Sequence, residues 1–309
     1  MSRRSSELLH HLVRAVILTG FAGLMFNLMV SGDMLLYIAP HLMIYAQLAT
    51  AFLVIATGFQ YYIAVASMKR KVVVCNCDHE HGHNHSHDSD HNDSSRSSWR
   101  SSAVYVVFIV PLLFGAFLPN DALAGSLAQK KGMNLGRAAM VGKPSSADFV
   151  EIDGDEDPAL KEQFKTNVYN KDYAKLGMLL YKQDLIEMKD DWFIEKLQAL
   201  NTFVNNFQGK QIRISGFVYR EEGLTGTQFI IGRMAMTHCI ADISPYGIIA
   251  ESLDAEQYAN DTWITVTGTI GQAIYHEQTV IKLNIESIEP ASPAKIPYVY
   301  PDWNFAAKL

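Results

Sequence analysis

Residues Leu35–Ala66 read LLYIAPHLMIYAQLATAFLVIATGFQYYIAVA, with no Asp, Glu, Lys or Arg in the whole run. A stretch this long and this bare of charge exceeds the ~20 residues that one membrane-spanning helix needs, so tilt or an interfacial end is expected within it. The core helix of a soluble protein is a poor reading of the same residues, because such helices carry a polar face. Before this run, Leu12–Ser31 is interrupted only by Arg14 and Asn27. After it, Ala103–Leu118 is a third apolar stretch, shorter and with Pro111 inside it, where a kink is expected. Three spans are therefore predicted, at about 12–31, 35–66 and 103–118.

Few residues, around Gly32 and Asp33, separate the first two spans, which must form a tight antiparallel hairpin. Arg3, Arg4 and Arg14 flank its start, and Lys69, Arg70, Lys71, Arg96 and Arg100 lie between spans two and three, whereas the turn carries only Asp33. Positive residues stay on the cytoplasmic side, so the N-terminus and the 75–93 loop are expected in the cytoplasm and everything beyond span three outside it. The chain then reads as a multi-pass protein of a bacterial plasma membrane, with the lipid bilayer as its first partner. A competing reading is that Ala122-Leu123-Ala124 serves as a signal-peptidase site, which would release the second half.

Composition divides at the same place. Of the 309 residues, 49% are apolar and 19% charged, but from Pro119 onward 18 Lys and Arg face 25 Asp and Glu, a net of −7. That half is acidic, and it lacks a basic stripe interleaved with aromatics that could displace counterions from a phosphate backbone, so nucleic acid is not expected as a partner. Three cysteines are too few for a disulfide framework.

The densest chemical signal is Cys75–His91, CNCDHEHGHNHSHDSDH. Thiolates at Cys75 and Cys77 and imidazoles at His79, His81, His83, His85, His87 and His91 are the ligand types that divalent zinc prefers, and four of them complete a tetrahedral site. With Gly82 inside it and a Ser/Asp/Asn run after it, the segment offers many quartets and imposes none. It reads as a collector or sensor that holds several ions loosely, zinc being the ion favoured, against the plainer reading of a solvated linker. His41 sits within the second span, where helix packing explains it as well as an ion path does.

In the second half, 119–147 reads as a Gly/Ala/Ser/Lys-rich connector and 148–309 as a single soluble domain. Asp153–Asp157 lacks the sixth-position Gly and distal Glu of a calcium loop and reads as an acidic turn before a helix opening at Pro158. Asp190–Asn206 has helical spacing at Trp192, Phe193, Leu197, Leu200, Phe203 and Val204. Five strands follow, at Lys210–Tyr219, Gln228–Met236, Gly247–Glu251, Thr262–Gly271 and Thr279–Ile288, several with clean alternation such as Ile212-Arg213-Ile214. The fold class expected is α+β: three transmembrane helices, then a helix and a five-stranded OB-like β-barrel over about 209–290.

One strand end concentrates chemistry. Between Arg233 and Gly247 stand Arg233, His238, Cys239 and Asp242, a candidate second metal or functional site. Adjacent His238 and Cys239 share a site only where a turn or bulge intervenes, and a structural cysteine beside a satisfied histidine is an equal reading. No Ser-His-Asp set, carboxylate pair or glycine-rich phosphate loop suggests catalysis.

The order of hydrophobic hairpin, His/Cys-rich loop, third span, Arg-x-x-x-x-His-Cys-x-Ala-Asp from Arg233 to Asp242, Tyr246-Gly247 and Pro297–Tyr300 resembles the YcgQ-like family of bacterial permease subunits over essentially the full chain. The resemblance implies an accessory subunit beside a multi-span permease, working in divalent metal transport or homeostasis. It also singles out Arg233, His238, Cys239, Ala241 and Asp242, with His-Cys or Cys-Cys before the Ala-Asp pair, an exchange that preserves zinc-ligand chemistry. The alternative is a membrane-tethered extracytoplasmic module that binds a small ligand or an envelope protein without transporting anything.

Overall fold

The computed structural model describes residues 3–69, 94–117, 124–136, 149–152, 156–293 and 295–309. The Cys75–His91 segment lies outside them. Two compact units emerge, one from the N-terminal helices and one from 121–309 together with Leu36–Ala39.

The first unit holds α1 (Arg3–Ser31), α2 (Met43–Lys69) and α3 (Ser94–Phe117). Leu8–Ser31 and Pro40–Ser67 are long and apolar enough to cross a membrane, while the apolar part of α3, Ala103–Phe117, falls short of that length. Pro111 sits inside α3, which runs on through it. The interior is made of small side chains: Ala15, Ala22, Ala46 and Ala64 are buried, while Val30, Phe52, Ile55, Val107 and Phe117 face outward. That inversion suits helices that meet in lipid, where close backbone approach replaces a hydrophobic drive between helices. A Cβ added at Gly20 would lie 2.5 Å from Leu112, and one at Gly115 2.8 Å from Leu24, so these two glycines set the contact of α1 with α3. Polar pairs fasten the helices further: His10 Nδ1 with the Tyr105 hydroxyl at 3.0 Å, Gln60 Nε2 with His11 Nδ1 at 3.1 Å, and Thr19 with Tyr61 at 3.1 Å.

The predicted second span differs at its start. Leu35–Ala39 does not continue a helix; short turns at Asp33–Leu36 and Pro40–Leu42 precede α2. Pro40 lacks an N–H and disfavours helix at Ala39 before it. The backbone groups of Tyr37 and Ala39 are used instead by the second unit: Ala39 N–H donates to the His238 carbonyl at 2.9 Å and Ile240 N–H to the Tyr37 carbonyl at 2.9 Å.

The second unit contains α4 (Ala124–Lys131), α5 (Pro158–Gln163), α6 (Lys171–Tyr181), β1 (Leu185–Met188), α7 (Phe193–Thr202), β2 (Gln211–Tyr219), β3 (Gln228–Ala235), β4 (Ser244–Glu251), β5 (Trp263–Tyr275), β6 (Gln278–Pro290) and β7 (Tyr298–Val299). The strands form one mixed seven-stranded sheet in the order β1-β2-β5-β6-β4-β3-β7, with β2 also paired to β3. Five strands were expected; β1 and β7, each parallel to its neighbour, are additional. All five expected strands are present within a few residues. Helix α5 opens at Pro158, with the Asp157 carboxylate accepting from Ala159 N–H at 2.9 Å. Helix α7 is shorter than the expected Asp190–Asn206, because Trp192 before it is left-handed (φ 56°) and Phe203 leaves the helix after it.

Alternation along the strands produces two cores. Phe229, Ile231 and Ala235 of β3 and Ile248 and Ala250 of β4 join Phe193, Leu197 and Leu200 of α7 in the larger one. Ile230 and Met234 of β3 and Ile249 of β4 turn the other way, into a core completed by Leu36, Ala39, Ala128, Met133, Leu135 and Tyr298. Within the stretch read from sequence as a connector, Ala128, Met133 and Leu135 are thus packed into this unit. Asn134 pairs there with β4, its N–H donating to the Pro245 carbonyl at 2.8 Å and its carbonyl accepting from Gly247 N–H at 3.1 Å. Gly232 and Gly247 are opposite one another in β3 and β4, and a Cβ on either would press on the end of Met133, at 3.1 and 2.9 Å.

Candidate functional site

The motif residues fall in two places. Arg233 lies within β3, while His238, Cys239 and Asp242 occupy the turn that joins β3 to β4, a single 3-10 turn at Ile240–Asp242.

In that turn Asp242 is the organising group. Its Oδ1 accepts from Thr237 N–H at 3.0 Å, and its Oδ2 from the N–H groups of His238 and Cys239 at 2.7 and 3.2 Å and stands 3.2 Å from His238 Nδ1. The Cys239 sulfur reciprocates by accepting from the Asp242 N–H, a capping box in which cysteine stands at the cap. Burial pushes the Asp242 carboxyl up, but these N–H donors and the His238 ring together outweigh it and hold the group below its ordinary value. From the other side Lys131 Nζ donates to the carbonyls of Ala241 (3.3 Å) and Ile243 (2.6 Å). The turn is thereby fixed at both its N–H and its C=O ends, and its His238–Ile240 backbone carries the Tyr37–Ala39 strand-like pairing. His238 keeps its ring 60% exposed and Cys239 is half-buried. Among the described residues no three His, Cys, Asp or Glu side chains gather as a ligand set.

Arg233 is 4% exposed. Its Nη1 pairs with Asp190 Oδ1 at 2.6 Å, and its guanidinium carbon lies 5.4 Å from the Trp263 ring and 6.0 Å from the Phe193 ring. A cleft of about 450 Å³ is lined by Glu187, Lys189, Asp190, Arg213, Ser215 and Arg233, among others. Sequence reasoning missed this cleft, since its walls come from β1, β2, β3 and the segment before α7. The signal available was an Arg on a strand otherwise apolar from Phe229 to Ala235.

Two long apolar helices followed by an α+β unit with a mixed sheet are features of a membrane-associated protein. Residues 13–134 match the DUF1980 N-terminal domain and 163–301 the DUF1980 C-terminal domain, and the chain belongs to that family. It is 27% identical over 289 residues to the UPF0703 protein YcgQ of Bacillus subtilis (strain 168), covering 93% of this chain and 98% of that one. A Streptococcus mutans serotype c protein named "Putative two-component membrane permease complex subunit" is 26% identical over 202 residues, 63% of this chain and 72% of the relative. Among solved structures, a small single-stranded DNA-binding protein from Streptomyces coelicolor aligns with 27% of this chain and 94% of its own at 12% identity, but a TM-score of 0.17 carries no argument about fold or ligand.

Proposed function

We propose that this chain is an accessory, non-enzymatic subunit of a membrane permease pair that handles a divalent metal, zinc by ligand chemistry. The observation that carries the reading is the kinship with a protein named as a permease complex subunit. The outward apolar faces of α1–α3 support it, for they offer a surface that lipid or a multi-span partner can cover. The loop ligands Cys75, Cys77, His79, His81, His83, His85, His87 and His91 would collect the ion, and the His238–Cys239 pair, both zinc-ligand types at a rigid turn, would offer a second contact for it. The five strands β2-β3-β4-β6-β5, each paired with two others of the set, support an OB-like barrel as the binding scaffold.

A three-span topology is part of the same proposal. Leu36–Ala39 is part of the second unit, where Tyr37 and Ala39 share hydrogen bonds with Ile240 and His238. On this reading α3 makes the third crossing, after α1 and α2. The Arg and Lys residues that flank the first span and lie between the second and third support a cytoplasmic Cys75–His91 loop and an outer 121–309 unit.

Affinity purification of the full chain from its native membrane in mild detergent tests the reading. A multi-span membrane protein should co-elute, and deletion of the gene should alter cellular zinc. Absence of both would favour the second reading, a tethered binding module without a transport role, for which the Arg233 cleft is the specific support.

A further inference from the structure

A buried guanidinium carries five donor hydrogens and a charge that the interior must compensate. Among the described residues Arg233 has one ion-pair partner, Asp190, whose own side chain is 58% exposed and lines the cleft. Its Nε and Nη2 are buried and find no hydrogen-bond partner among the described residues. The aromatic rings of Trp263 and Phe193 flank the group and hold it in place. Structural arginines of this kind usually complete their donor set with carbonyls or carboxylates of the fold. Here the counter-charge found among the described residues is instead an exposed surface carboxylate. The other two cations of the cleft have partners, Lys189 with Glu187 at 2.5 Å and Arg213 with Glu289 at 2.9 Å, while Ser215 bonds Thr265 at 2.6 Å. Asp191 adds a negative charge at the mouth.

We infer that the Arg233 cleft is a receptor for a small oxyanion, a ligand bearing a carboxylate or phosphate group, and that the Asp190 carboxylate occupies the receptor in the ligand's place. When Asp190 swings outward, the Nη1–Nη2 edge of Arg233 presents the planar fork that binds a carboxylate or phosphate in bidentate fashion. Asp190 acts as a tethered competitor, whose high effective concentration keeps the site selective for ligands that also make contacts along the Lys189, Arg213 and Ser215 wall. A cleft of about 450 Å³ has room for a metabolite-sized anion. This inference rests neither on the metal loop nor on a permease partner.

The test uses the full chain in detergent at neutral pH and constant ionic strength, titrated with inorganic phosphate in one arm and acetate in the other, with chloride as the matched control. Thermal unfolding midpoint and calorimetric heat are followed. Wild type should show a saturable response to at least one of the two oxyanions that chloride does not give, and the arm that responds identifies the group recognised. Asp190→Ala, which removes the exposed competitor, should tighten that response about tenfold, and Arg233→Met should abolish it. Should Arg233→Met fail to fold, the comparison of wild type with Asp190→Ala decides alone. Equal behaviour in phosphate, acetate and chloride, or binding by Asp190→Ala no tighter than wild type, would overturn the proposal.

Discussion

The backbone N–H of Ala39 donates to the carbonyl of His238 at 2.9 Å, joining a turn near the start of the chain to the β3–β4 turn far along it. Ile38 and Cys239 are bridge partners in this antiparallel contact. A cysteine at 38 would therefore sit across from the native one, within the span a disulfide can bridge. In a background with Cys75→Ser and Cys77→Ser, Ile38→Cys should cross-link to Cys239 under mild oxidation, read by a proteolytic fragment shift that reductant reverses. A pairing that never forms would sink the contact.

Asp242 makes the β3–β4 turn sensitive to acid. Its folded-state carboxyl titrates below the ordinary 3.8, so the unfolded chain binds its proton first as pH drops. The stabilisation it confers is complete above that ordinary value and is lost as pH falls through the lower, folded-state value. Asp242→Ala should cost about 1–2 kcal/mol at neutral pH, the scale of a lost cap whose N–H donors become unsatisfied. Denaturant unfolding at neutral and strongly acidic pH measures both, and a difference between the two proteins that is unchanged by acid would contradict the assignment.

Glu195 carries the opposite sign. It is buried on α7, with Oε1 accepting from Asp302 N–H at 2.8 Å and Oε2 lacking a partner among the described residues, and burial raises its pKa above the ordinary 4.5. An acid raised on folding weakens the folded state wherever it is ionised. Glu195→Gln keeps the acceptor for Asp302 and removes the charge. It should gain stability relative to wild type at neutral pH, and the gain should shrink as pH falls toward 4.5. A gap that stays constant over that interval would argue against a buried ionised carboxylate.

Gly232→Ala should be destabilising by about 1–3 kcal/mol, because its Cβ would meet the Phe217 ring at 2.8 Å as well as Met133 at 3.1 Å. Shortening the peg in Met133→Ala should restore part of that loss if the two act on the same space. Strict additivity in a double-mutant cycle would show that they do not.

Much of the soluble sheet was legible because alternation survives burial on one face: Ile212-Arg213-Ile214 and Ile264-Thr265-Val266 appear as strands in both sequence and structure. β1 and β7 were not, since four residues and two residues are too short to display a period. Leu36–Ala39 was absorbed into a membrane span because a run without charge reads alike whether it meets lipid or a protein core. Helix α6 went unread although Leu176, Met178 and Leu180 are buried, the close packing at Gly177 against Phe164 being visible only in three dimensions. At the motif, residue type pointed to ligands; that the Asp242 oxygens also accept from three backbone N–H groups was visible only in three dimensions. Arg233 was grouped with its sequence neighbours, yet its partners Asp190 and Trp263 lie tens of residues away on either side.

The second core draws Leu36 and Ala39 from the beginning of the chain, Met133 and Leu135 from its middle and Tyr298 from close to its end. In time this means that the part translated among the first is bonded among the last. The α1–α2 turn leaves the ribosome and must wait, with its Tyr37 and Ala39 backbone groups held by water, until β3, β4 and the Tyr298 strand have been made. Contacts so remote in sequence close slowly. That core cannot close before the far end of the sheet has been made, and a chain interrupted before Tyr298 leaves it without one of its walls.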